Sequence, residues 1–113
     1  MSETTASPKI VEENIGEKVP FTIENDTWIN INDEFNINLA KKERDADVDI
    51  IITKDQYGNY INGKSGCAYV MVIHIPARMY TKNLTSETDG VESYSKVAIP
   101  FDMSRVVIRL WAI

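Results

Sequence analysis

The chain holds one histidine, His74, and one cysteine, Cys67, so any catalytic triad or His-rich metal cluster would need its other members from different residue types. Both lie in the run Cys67 to Ile75, whose alternation sets His74 with Ala68, Val70 and Val72 and sets Cys67 on the opposite face. A regular strand therefore keeps thiol and imidazole apart, and no Cys/His nucleophilic pair is expected. His74 reads as a hydrogen-bonded core or rim residue, and Cys67 as a small buried hydrophobe.

Asp45, Asp47 and Asp49 recur at every second position, which in a strand projects three carboxylates from one face and suits a hard cation such as calcium. The calcium-loop pattern then fails, because Ile50 stands where it needs glycine and Gln56 where it needs the bidentate glutamate. A solvated strand edge that blocks aggregation is the expectation, with no metal and no cofactor. Lys54, Tyr57, Tyr60 and Lys64 combine ammonium groups with aromatic rings, the mixture a stacking platform for single-stranded nucleic acid uses. Arg105, Arg109 and Trp111 near the C-terminus are the residue types that anchor protein interfaces. These seven residues are the candidate binding set, for protein or for single strands. No glycine-rich phosphate loop, serine elbow or Cys-x-x-Cys pair occurs, and no catalytic residue is expected.

The elements that would position them follow from an apolar period of two. Phe21 and Ile23 alternate with polar residues, as do Ile29, Ile31, Phe35, Ile37 and Leu39 across the corner Asn32-Asp33-Glu34, which predicts a hairpin. Leu39 to Ala46 allows one helical turn, too short to stand without packing. Val48, Ile50 and Ile52 resume the alternation. Two turns follow, Tyr57 to Tyr60 and Asn62-Gly63, the second suited to a two-residue hairpin loop that would send the next strand back antiparallel. Cys67 to Ile75 is apolar on both faces and belongs at the centre of a sheet. Pro76 ends it, and the polar stretch Tyr80 to Ser93 reads as a long mobile loop. Val97, Ile99 and Phe101, a turn at Asp102-Met103-Ser104 and a last strand Val106 to Ile113 complete the chain.

The expected fold class is all-β: a small antiparallel β-sandwich or barrel of six to eight short strands, with residues 1–18 as a polar N-terminal arm and 19–113 as a single β domain. Its 113 residues suffice for one core, and no apolar run reaches the roughly 18 residues a membrane helix needs. The unpaired cysteine and the lack of a signal-like leader point to the cytoplasm, or to host cytoplasm or virion for a viral protein. Two glycosylation-type triplets, at Asn25 and Asn83, are then chance matches. Seventeen acidic against twelve basic residues leave a charge of −5, which disfavours nucleic acid. The expected function is a non-enzymatic interaction or assembly protein, of the kind viruses and phages use as structural or inhibitor proteins, with a protein partner and foremost itself. The first rival is a single-stranded nucleic-acid binder of barrel type, and the second a hydrolase or lyase built on an acidic pair.

Overall fold

The structure is a computed structural model that describes residues 7–88 and 90–113, with 83–88 and 91–94 described through their backbone alone. The fold is all-β. Its strands, in order, are β1 (Lys9–Glu12), β2 (Phe21–Glu24), β3 (Trp28–Ile31), β4 (Phe35–Asn38), β5 (Val48–Lys54), β6 (Tyr60–Asn62), β7 (Ala68–Ile75), β8 (Tyr80–Thr88), β9 (Val91–Ala98) and β10 (Val107–Leu110). One helical turn, α1 (Leu39–Lys42), follows β4, with the Asn38 side chain accepting from the Ala40 N–H as its cap.

A five-stranded sheet has the order β1-β10-β7-β5-β6, a three-stranded sheet the order β2-β3-β4, and β8-β9 forms a separate ribbon. The first two close on one core. Ile29, Ile31 and Ile37 from the small sheet meet Ile52, Met71, Ile73, Ile75, Ile108 and Leu110 from the large one, with Leu39, Met103 and Val106 filling in. Alternation in β3 and β4 supplies this face directly, since every second residue turns inward. The small sheet turns its corners at Asn25-Asp26 and Asn32-Asp33, whose φ angles of 53°, 57°, 53° and 54° are left-handed values that short polar side chains tolerate.

As expected, β7 is the central strand, but it is not regular. Ile52 pairs with Met71 and Thr53 with Tyr69, so Val70 is an extra residue on β7. This bulge puts Val70 and Met71 both in the core and leaves Tyr69, Val72 and His74 on the outer face. The expectation that His74 shares a face with Val70 is therefore corrected, because one inserted residue inverts the alternation on one side of it.

The next long strand, β7, does run back antiparallel to β5, but the two-residue hairpin loop expected at Asn62-Gly63 needs correction. β6 and β7 pair antiparallel with opposite sides of β5, so they run parallel to each other and no hairpin joins them. The link crosses the face of β5 instead, where the Thr53 hydroxyl donates to Gly63 O at 2.7 Å and accepts the Gly66 N–H at 3.0 Å.

Three further strands, β1, β8 and β9, come from stretches without strong periodicity. Within the expected N-terminal arm, whose residues 1–6 lie outside the described set, β1 pairs parallel with the chain's own β10. The expected loop over Tyr80 to Ser93 is instead the greater part of the β8-β9 ribbon. Its turn signal is Asp89-Gly90, a dipeptide fit for a tight hairpin, with Gly90 at φ 76°. The ribbon stands off the body: Thr81, Lys82, Ser95 and Lys96 are exposed, and the radius of gyration is 18.4 Å. A compact chain of this length would have about 13 Å.

Candidate functional site

The acidic stretch between α1 and the start of β5 grips the chain where the ribbon begins. Glu43, only 6% exposed, sets Oε1 at 3.3 Å from Arg78 Nε, and its backbone carbonyl accepts from Arg78 Nη2 at 3.0 Å. Asp45 accepts the Tyr80 hydroxyl. Asp47 accepts the Ala77 N–H at 2.7 Å, and Arg44 O accepts the Arg78 N–H at 2.7 Å. From the other side Arg105 Nη2 donates to Ala77 O at 3.3 Å. Hydrogen bonding to Tyr80, and then to Glu43, holds the Arg78 guanidinium above its ordinary value. Four residues, Ala77 to Tyr80, are thus fixed before the ribbon leaves the core, and the Ile99 N–H closes its base on Met79 O at 2.8 Å.

The aspartate row is consequently split. Asp49 Oδ1 lies 2.7 Å from His74 Nδ1 and Asp47 Oδ2 lies 3.5 Å from Nε2, while Asp45 turns to Tyr80. With a carboxylate at each ring nitrogen, His74 has no nitrogen directed at an open position, which suits a pin between β7 and β5 better than a general base. Cys67 is exposed and precedes the far end of β7, roughly 23 Å away at strand spacing. No group of three or more metal-ligating side chains with suitable geometry occurs among the described residues.

The candidate binding residues fall into several places. Lys54 pairs in register with Tyr60 on β5 and β6, but the Tyr60 ring is half-buried against the core. Its hydroxyl is pushed up, chiefly by burial and further by Glu34 and Glu17. Tyr57 sits at the hairpin tip, 79% exposed, its N–H held by Asp55 Oδ1 at 2.8 Å. Lys64 belongs to the segment that crosses β5. Lys54 is opposite Ala68 at one end of β7, whereas Arg105 lies beyond the other end, so these cations are separated by about 20 Å or more and do not share a surface. Arg109 and Trp111 do share one. They line a groove of about 260 Å³ on the outer face of the large sheet, with Val72, His74 and Val107. Trp111 stacks at a tilt on Tyr69, with ring centroids 5.4 Å apart, and Arg109 Nε lies 3.8 Å from Glu13.

Sequence reasoning missed a larger cleft of about 760 Å³, where Lys41, Lys42 and Lys64 surround Trp28 beside the uncovered part of β5. β6 covers only Ile52 to Lys54, which leaves the edge from Val48 to Ile50 without a neighbouring strand there. The lysines were visible in the sequence, but nothing in their spacing showed that α1 and the crossing segment would meet. The ribbon was missed as well, although Asp89-Gly90 between two polar runs was a legible hairpin signal.

No protein-family model, no curated protein and no solved structure matches this chain. Among the described residues, no helix is long and apolar enough to cross a membrane.

Proposed function

We propose that the protein works without catalysis, as an assembly protein that binds protein partners, copies of itself foremost, through the β8-β9 ribbon. The observation that carries this reading is that, among the described residues, the ribbon pairs with no other strand. Two strands of nine and eight residues extend from a root pinned by Glu43, Asp45 and Asp47, and among the described residues they join no larger sheet. An isolated two-stranded ribbon is only marginally stable in water, so a surface that covers it supplies what its own chain does not. Exposed strand edges and faces are also a common route to protein association. The placement of Lys54 and Arg105 at opposite ends of β7 favours this over single-strand binding, which needs cations and rings along one groove.

Replacing residues 80–98 by a short turn between Met79 and Ile99 tests the reading, because those two residues are already joined by a hydrogen bond. The expected result in sedimentation velocity is a folded monomer where the full chain self-associates. An unchanged mass distribution would refute the ribbon as the contact arm.

A further inference from the structure

The ribbon register places Lys82 opposite Lys96, Leu84 opposite Tyr94, and Glu87 opposite Glu92. β9 is regular, so Glu92, Tyr94 and Lys96 share one face at two-residue spacing. On β8 the register shifts between Leu84 and Ser86, and this extra residue keeps Glu87 on the same face as Lys82 and Leu84. From root to tip that face therefore carries a lysine rung, an apolar and aromatic rung, and a glutamate rung.

Like charges directly opposed across an antiparallel pair are destabilising, and here two rungs have that fault with opposite signs. The lysine rung is partly relieved where Lys96 Nζ lies 4.3 Å over the Tyr80 ring. The glutamate rung has no such relief in sequence, since no lysine or arginine occurs from Asn83 to Ser95. The pattern is symmetric in position and opposite in sign about the Leu84/Tyr94 rung.

We propose that this face pairs with the same face of a second copy, two ribbons lying antiparallel about a two-fold axis at the Leu84/Tyr94 rung. Each lysine rung then covers the partner's glutamate rung, and the central apolar rungs meet. A parallel arrangement would set lysine on lysine, and a uniformly acidic or basic partner would repel one rung, so the charge order selects a second copy of this chain. The contact is isologous and closes as a dimer. The face measures roughly 27 Å by 10 Å at strand spacings, well below the roughly 800 Å² per partner of a standard interface. Pairing is consequently weak, concentration-dependent and sensitive to salt.

The inference rests on the ribbon as assembly arm and names its partner and geometry. Its test is sedimentation of the full chain in two charge-reversed forms, Lys82→Glu with Lys96→Glu and Glu87→Lys with Glu92→Lys, each checked for an unchanged fold by circular dichroism. The unaltered chain dimerises at low salt and dissociates at about 0.5 M salt, where the Debye length is only a few ångströms. Each variant alone is monomeric, and their equimolar mixture recovers the dimer. In a Cys67→Ser background, Tyr94→Cys forms an inter-chain disulfide near the axis when oxidised glutathione is added as the oxidant. A mixture that stays monomeric, a variant that dimerises alone, or an unaltered chain that stays monomeric at low salt would overturn the pairing. If the chain without its ribbon is monomeric while both charge variants associate normally, the assembly reading stands and the two-fold pairing falls.

Discussion

Thr53 Oγ1 accepts the Gly66 N–H at 3.0 Å, and through this contact the chain between β6 and β7 is laid across the face of β5. Thr53 is only 1% exposed, and its hydroxyl is spent on the crossing backbone at Gly66 and Gly63. Thr53→Val keeps the volume but orphans Gly66 N and Gly63 O, and should cost about 1–3 kcal/mol. A side chain at Gly66 would place Cβ 2.5 Å from Thr53 Oγ1 and 2.9 Å from the Lys54 backbone oxygen, and the latter cannot swing aside. Gly66→Ala should therefore cost at least as much as Thr53→Val. Urea melts check both, and a neutral Gly66→Ala would show that the crossing does not run this close.

Met71 and Ile73 are fully buried on the central strand. Truncating either to alanine should destabilise the protein by about 2–5 kcal/mol, because residues from both sheets enclose the cavity and cannot collapse into it. Losses below about 1 kcal/mol for both would contradict the central placement of β7.

β1 holds the free edge of β10 through bonds that include Lys9 N–H to Val106 O at 2.9 Å and Glu13 N–H to Leu110 O at 2.8 Å. Removing residues 1–13 should speed hydrogen exchange in β10 and raise its tendency to pair with other chains, as exposed edges do. Unchanged exchange at Ile108 and Leu110 would place the N-terminal segment elsewhere in solution.

Two carboxyls sit below their ordinary value of 3.8: Asp55, chiefly through the Asn59 backbone N–H, and Asp102, chiefly through the Ser104 hydroxyl and then its N–H. A depressed folded pKa contributes stability that is present above 3.8 and lost as pH falls through the lower folded value. These two groups should therefore leave stability level from neutrality to about pH 4 and contribute to its fall below that. The paired change Asp55→Asn and Asp102→Asn should flatten that acid limb in thermal melts taken across pH.

Single strands should not bind. Lys54 and Arg105 lie at opposite ends of β7, Tyr60 is half-buried, and the net charge is −5. Fluorescence anisotropy with a mixed-sequence oligonucleotide at physiological salt should stay flat. A micromolar or tighter, salt-sensitive Kd would replace the assembly reading with the nucleic-acid one.

By itself the sequence determined the local terms of this fold. A two-residue period at Ile29, Ile31, Phe35 and Ile37 marked one wet and one buried face, an unbroken apolar run marked β7, and Asn32-Asp33 and Asp102-Met103-Ser104 marked turns. Each depends on neighbours a few residues away. Tertiary structure alone decided the rest, because period two names a face but not the strand that covers it. Which carboxylate meets His74, that Val70 turns inward, and that Gly66 rides over Thr53 all depend on strand order and register, which join residues far apart in sequence, 13 positions for Gly66 and Thr53 and 25 for His74 and Asp49. The ribbon escaped for the opposite reason: it is separate from the two sheets that close the core, so its polar strands carry no hydrophobic period, and only its pairing shows the charge order along one face.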